Sequence, residues 1–484
     1  MIAMWRRRLS GSSNGSRPVR KIVALALVVA AFPIAHFVIG CTTTIAPPRV
    51  ELPPGNAGAY TRVRAGLREV YLEGTPEAIG AQHARLLRDR LVANEGEMWQ
   101  DFARFVPIAP LRTLLTDVSR VRYRHVDRGV PEPFLRELAA QARAFEPDPY
   151  ASKMPTFHRM VFLHALYDIA LSFEHSPLIG CTAFGLGAGA TKDGHVLMGR
   201  AFDFEAGDVF DRDKAVYFVR KEGAIPFASV AWPGVVGVVT GMNLEGVTII
   251  VNGARAGEPR TEGTPVIFAL RDVLERAHDT TEAVAMLRDQ KPMVSHIVFV
   301  GDARGWFAVV ERAPGTEAFV RAAWQDPDRV AVTNHLEGPL ANDPKNDAVR
   351  KGTTTLPRRA RIDELLSAIG PHEADVPRAI ATLRDHSCAN GTTCALGDRR
   401  AIDALIATHG IVADMTARTL WVSAGPHLSG KFVRFDLRAI FAPDHDPSKD
   451  PEPEVIAEDP ILGTPDYAAG RARAGGPKFG GDAP

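Results

Sequence analysis

Gly180-Cys181-Thr182-Ala183-Phe184, then Asp193-Gly194-His195-Val196-Leu197-Met198-Gly199-Arg200-Ala201-Phe202-Asp203, is the stretch that decides the reading of this chain. Asp-Gly between two apolar runs is a strong hairpin signal, so Cys181 leads one strand and Arg200 and Asp203 lie on the returning one. Pairing centred on Asp193-Gly194 puts residue 206 opposite Cys181. Three extra residues in the glycine-rich Gly185-Leu186-Gly187-Ala188-Gly189 bring Asp203 opposite instead. A thiol, a guanidinium and a carboxylate thus meet through local structure alone. A cation beside a cysteine favours the reactive thiolate, and a carboxylate can orient a protonated amine. The glycines themselves do not read as a dinucleotide loop, because that motif needs a following helix whose N-terminus faces the phosphates.

Outward from this core, the chain divides into five parts. Residues 1–41 hold six basic side chains (Arg6, Arg7, Arg8, Arg17, Arg20 and Lys21) and no acidic one, followed by an apolar run from Ile22 to Ile39. This is a targeting segment. Val38-Ile39-Gly40-Cys41 resembles a bacterial lipoprotein cleavage box, with Cys41 as the acylated residue. The alternative is an uncleaved membrane anchor of 18 residues, which suffices to span a bilayer core. Either way the remainder lies outside the cytoplasm, on the outer side of a membrane. Residues 42–65 read as linker and 66–180 as mainly helical, with Thr75-Pro76-Glu77 as a helix start. A helix is also expected over Phe157–Leu171. Its His164 and Asp168, four apart, read as packing and hydrogen bonding, since no third metal ligand lies nearby.

From Cys181 to about residue 442 strands alternate with helices. Strands are expected at Val216–Arg220, Phe227–Ala231, Val247–Val251, His296–Val300, Trp306–Glu311, Thr419–Val422 and Gly430–Phe435. Helices are expected at Pro265–His278, Thr281–Arg288, 356–368 and 399–408. Mixed runs of this kind indicate an α+β layered domain. Residues 443–484, rich in Pro, Asp and Gly, read as a disordered tail.

Composition narrows the function classes. The chain of 484 residues carries 57 basic and 57 acidic side chains, and setting aside the six at the N-terminus leaves 51 against 57. No basic patch points to nucleic acid. There are four cysteines. Cys388 and Cys394 close a short loop and suit a disulfide in an oxidising compartment; as half of a zinc site they lack a second pair. That leaves Cys181, a lone thiol in an exported chain. No metal or organic cofactor is called for.

The stretch from Cys181 to Phe204 closely resembles the acyl-coenzyme A:6-aminopenicillanic acid acyltransferase family of self-processing cysteine enzymes, relatives of choloylglycine hydrolases and acid ceramidases. The resemblance continues in Glu73–Gly80, Gly241-Met242-Asn243-Leu244-Glu245-Gly246, Val332-Thr333-Asn334-His335, Leu356–Ile362 and Ala417–Val422, and covers roughly residues 65 to 440. It implies a four-layer αββα sandwich of the N-terminal-nucleophile type, with 66–180 as a propeptide region and 181–442 as the catalytic domain. It also implies that the chain cleaves itself between Gly180 and Cys181. The freed α-amino group, of ordinary pKa about 8, then serves as base for the thiol. By the same resemblance Asn252 binds the oxyanion, Asn334 holds the α-amino group or the substrate, and the later arginine falls on Arg358 in preference to Arg361. The family usually has asparagine where this chain has Ala201, which bears on substrate contacts and leaves the nucleophile in place. The expected substrate is an N-acylated small molecule, hydrolysed or used for acyl transfer. A non-catalytic envelope binding protein on the same fold, or a cysteine peptidase, are the competing readings. Oligomeric state is not legible.

Overall fold

Period-two alternation of apolar side chains builds two sheets. A computed structural model describes residues 33–172, 180–203, 208–322 and 326–474. In chain order the strands are β1 (Tyr60–Arg64), β2 (Leu67–Gly74), β3 (Gly180–Leu186), β4 (Leu197–Asp203), β5 (Ala215–Lys221), β6 (Phe227–Ala231), β7 (Thr240–Asn243) and β8 (Thr248–Gly253). They continue with β9 (His296–Gly301), β10 (Phe307–Arg312), β11 (Phe319–Arg321), β12 (Arg329–Val332), β13 (Ala407–Asp414), β14 (Thr419–Ser423), β15 (Phe432–Asp436) and β16 (Val455–Ile456). One sheet has the order β1-β2-β5-β6-β7-β8-β9-β10-β11, the other β12-β3-β4-β13-β14-β15-β16.

Alternation tells which face each residue takes. On β4, Met198 joins the apolar core shared by both sheets, whereas Leu197 and Ala201 face a second core. On β13, Ile411 and Ala413 point inward and Val412 outward. The outer core of the smaller sheet is closed by helices Thr355–Ser367 and Val376–Leu383. Helices Val266–Arg276 and Thr280–Asp289 pack on the larger sheet. The layers therefore run helix, sheet, sheet, helix: an αββα sandwich. Cys181 shares its face with Ala183, and Arg200 shares its face with Met198, so both point between the sheets.

Five sequence expectations need correction. The segment read as linker ends in β1, and the segment read as helical opens with β2, which pairs in parallel with β5 from Arg68↔Ala215 to Gly74↔Lys221. Residues ahead of Gly180 are thus built into the larger sheet. The helix expected over 399–408 is absent; Asp403 and its neighbours form turns leading into β13. The tail is ordered through Ala474: β16 pairs with β15, Asp459 N–H donates to Ser429 O at 2.8 Å, and helix Pro465–Ala474 buries Gly470 and Ala474. Its polar composition is offset by ties such as Arg64 Nη1 to Pro451 O at 2.6 Å and Arg399 Nη2 to Ala474 O at 2.7 Å. The expected helix at 157–171 is two helices, Thr156–His164 and Leu166–Leu171.

The described residues form two compact units, one of residues 33–44 with 102–124 and the other of the remaining described residues. In the smaller unit, helix Ala109–Arg122 is joined to the segment at 33–43 through His36 Nδ1 and Asp117 Oδ2, 2.8 Å apart. Most of the apolar run from Ile22 lies outside the described residues. Among those described, no helix is long and apolar enough to cross a membrane.

Candidate active site

The hairpin expected from Asp193-Gly194 forms, but with another register. Gly180 pairs with Asp203, and Cys181 with Phe202. Asp193-Gly194 does turn the chain, with Gly194 at φ +74° and His195 N–H bonded to Asp193 Oδ1 at 3.1 Å. The strands, however, are joined by the longer loop 187–196, pinned at Lys192 N–H to Ala374 O (2.8 Å). The glycines serve this loop: a Cβ on Gly187 or Gly189 would come within 2.2 Å of the Asp328 carboxylate, which accepts from Gly189 N–H at 3.1 Å. Asp203 therefore covers Gly180. A Cβ there would lie 3.1 Å from Asp203 Cβ and 3.2 Å from its Oδ2.

Cys181 is a buried free cysteine, 2% exposed. Arg200 Nη2 lies 3.8 Å from its Sγ. The Arg200 guanidinium is fixed by Val239 O, Thr240 Oγ1 and Val251 O, and its carbon sits 4.3 Å from the Phe202 ring centroid. Burial lowers the pKa of Arg200, with Cys181, Tyr167 and Asp203 opposing. Asn334 Oδ1 accepts from Cys181 N–H at 2.7 Å and from Arg358 Nη2 at 2.8 Å, while Asn334 Nδ2 donates to Gly253 O at 3.0 Å. Arg358 also donates to Cys181 O, and to Thr182 Oγ1 at 2.9 Å. It can do so because it stands on the first turn of helix Thr355–Ser367, whose Thr355 Oγ1 bonds Asn334 N–H (2.9 Å) and Thr333 Oγ1 (3.0 Å). Burial lowers Arg358, against the pull of Asp203 and Cys181.

Asn252 ends β8. Its Nδ2 donates to Thr333 O at 3.1 Å and its buried Oδ1 has no hydrogen-bond partner among the described residues. Cys181, Arg200, Asn334 and Arg358 are thus joined by direct contacts, Asn252 reaches them through Thr333, and Asp203 abuts Gly180. Arg361 is directed elsewhere, to Asp385 at 2.7 Å. Cys388 and Cys394 form a disulfide. Cys388 and Cys394 also group with Asp398, but sulfurs joined to each other are not metal ligands. His164 and Asp168 hold backbone: His164 Nε2 accepts from Val236 N–H at 2.9 Å and Asp168 Oδ2 from Val266 N–H at 3.1 Å. Burial pushes the Asp168 carboxyl up to about 7.

Sequence reasoning missed Thr240, His409 and Tyr167. His409 Nε2 lies 3.0 Å from Thr240 Oγ1 and its ring 5.0 Å from that of Phe202. Burial, then Arg200, holds it well below the usual histidine range. Its signal was hidden because it follows directly on a segment misread as helix. Tyr167 interacts electrostatically with Cys181 and Arg200 from the segment ahead of Gly180; nothing in its sequence surroundings marks it.

The sequence model of the acyl-coenzyme A:6-aminopenicillanic acid acyl-transferase family matches residues 190–425. An uncharacterized protein from Archaeoglobus fulgidus is 26% identical over 258 residues, 49% of this chain and 41% of its own length. The chain thus spans about two fifths of the length of that curated relative. Among solved structures, the Caenorhabditis elegans ortholog of N-acylethanolamine-hydrolyzing acid amidase is similar, at 17% identity and TM-score 0.36, over 49% of this chain and 93% of that one. Penicillin V acylase from Agrobacterium tumefaciens gives 16% and 0.35, over 53% of this chain and 91% of its own. The conjugated bile acid hydrolase of Clostridium perfringens gives 12% and 0.37, over 58% and 97%.

Proposed function

From the match of residues 190–425 to the acyl-coenzyme A:6-aminopenicillanic acid acyl-transferase family, we propose that this chain is a self-processing cysteine amidohydrolase or acyltransferase for N-acylated small molecules. The observation that carries it is the backbone N–H of Cys181 held at 2.7 Å by Asn334 Oδ1, with Arg200 beside the sulfur. Cys181 is the second residue of β3 and lies past the end of its pairing with β12, which stops at Ala183. Here a side chain takes its N–H, which suits a nitrogen destined to become an amine.

In self-processing, Cys181 Sγ adds to the Gly180 carbonyl carbon. The bond from that carbon to Cys181 N breaks as the nitrogen takes up the thiol proton, leaving a thioester. Water then cleaves the thioester, giving a Gly180 carboxylate, a free thiol and an α-amine. In turnover the same sulfur attacks a substrate acyl carbonyl. The α-amine accepts the thiol proton and passes it to the leaving amine. Water, or a second amine, takes the acyl group. Arg200 offsets negative charge on the attacking sulfur, Asn334 and Arg358 fix the amine, and the Asn252 amide donates to the oxyanion. Asp203 steadies the strand end at Gly180 and balances Arg358.

The same reading places the chain outside the cytoplasm, tethered through a lipid on Cys41 or through its apolar run. The test of function is a screen of N-acyl amino acids and amides, with mass mapping of trapped enzyme. An acyl adduct on Cys181 and loss of turnover in Cys181→Ala are expected. Turnover retained by that variant would remove the mechanism.

A further inference from the structure

The helix Ala109–Arg122 belongs to the smaller unit and presents a row of exposed apolar side chains. Leu111 is 41% exposed, Leu114 46%, Leu115 41%, Val118 54% and Val121 40%, at spacings of three, four and seven that share one helical face. Ile108, 61% exposed, extends it by a turn. A solvated helix normally turns such a stripe to a core. Within the same unit, Ile34 (67%) and Phe37 (71%) expose further apolar surface. Between the two segments runs a groove of about 350 Å³, lined by Ile39, Leu114, Val118 and Val121 among others. Patches of this kind mark an interaction site.

Charge identifies the occupant. Residues 102–124 contain five arginines and one acid, Asp117, which is occupied by His36; Arg120 is buried on Gly40 O and Thr44 Oγ1, which leaves Arg104, Arg112, Arg122 and Arg124 for an outside partner. Apolar stripe plus basic flanks is the pattern of a helix lying in the plane of an anionic lipid surface. The groove also brings the stripe beside Ile39, the end of the apolar run expected to meet a membrane. We propose that helix Ala109–Arg122 adsorbs to an anionic lipid bilayer, its leucine and valine face in the acyl boundary and Arg112 and Arg122 at phosphate headgroups. This contact is separate from any tether at Cys41 and does not rest on the catalytic reading. It holds the smaller unit at the membrane surface, where amphiphilic acyl amides partition.

The test uses the full chain carrying Leu115→Cys, labelled with an environment-sensitive fluorophore. Wild-type chain taken through the same labelling is the blank, and Glu258→Cys is the exposed control. With phosphatidylglycerol/phosphatidylethanolamine vesicles, the label at 115 becomes blue-shifted and shielded from aqueous iodide, less so at high salt. The control label does not change. Leu114→Asp with Val118→Asp, introduced beside the label at 115, abolishes the blue shift and the iodide shielding, from the loss of two buried aliphatic side chains. Unchanged thermal melting shows that this variant is folded. Three results overturn the proposal: a label at 115 as accessible with vesicles as without, undiminished shielding of that label in the double variant, or concentration-dependent shielding without lipid. The last would assign the face to a second copy of the chain.

Discussion

Cleavage after Gly180 would leave two chains, and the structure predicts that they stay together. Besides the β2–β5 seam, Glu137 ahead of the cut meets Arg271 beyond it through two parallel bonds, both 2.7 Å, between groups each 1% exposed. Arg271 Nε also bonds Glu275 at 2.9 Å, and Lys221 reaches Glu275 as well, so the cluster is neutral as a whole. Burial pulls Arg271 down, but the two glutamates outweigh it and leave its pKa raised. Replacing Glu137 by Gln keeps the volume and leaves one uncompensated buried charge. Such breakage costs about 3–5 kcal/mol. The low end, about 3 kcal/mol, applies here because Glu275 remains beside Arg271. The assay is urea unfolding of Glu137→Gln in a Cys181→Ala background, which keeps the chain in one piece. A second variant, Glu137→Leu with Arg271→Met, should recover most of the loss, since an apolar pair avoids desolvating charge. A change within about 0.5 kcal/mol for Glu137→Gln would refute the reasoning, because that is the range of an ordinary surface substitution.

Gly180→Ala should slow self-cleavage while the protein stays folded, because the new methyl must displace Asp203 by a few tenths of an ångström; fragment appearance over time on a denaturing gel reads it. Asn334→Ala should cut the cleavage rate by about a hundredfold or more, the range for removing one positioned polar group at a reacting centre, and Arg358→Lys should cut it less, since an ammonium keeps the charge but not the fork. For pH, His83 and His164 are lowered by burial to about 3 and about 4, and both accept backbone N–H groups of the Gly234–Val236 loop. Their unfolded pKa is near 6.5, so the unfolded state binds more protons below it. Stability is therefore full above about pH 6.5 and falls toward pH 4, at up to about 1.4 kcal/mol per pH unit for each histidine. His83→Gln should flatten that slope in urea titrations across the window.

Much of the catalytic region was legible because its strands are apolar and locally paired. Phe227–Ala231 was read to the residue, and β5, β9, β10 and β14 to within one or two. Long-range pairing was not legible. β2 forms a local hairpin with β1, but its place in the larger sheet comes from β5, 147 residues later from Arg68 to Ala215, and β16 is two residues long in a polar segment. The register at Cys181 also failed locally: Asp193-Gly194 turns the chain, but Asp328 and Ala374 set the loop length, and neither is near in sequence. Cys181, Arg200, Asn334 and Arg358 were found through ordered motifs, and the structure brings them into one bonded group. His409 and Thr240 were missed because a buried histidine and a strand threonine carry no pattern of their own.

The most direct test is intact-mass analysis of the purified full chain beside its Cys181→Ala form. The account predicts two fragments meeting between Gly180 and Cys181, co-eluting under native conditions, and a single uncut chain in the variant. A single mass for both proteins, with no acyl adduct on Cys181, would contradict it and favour a binding protein on the same fold.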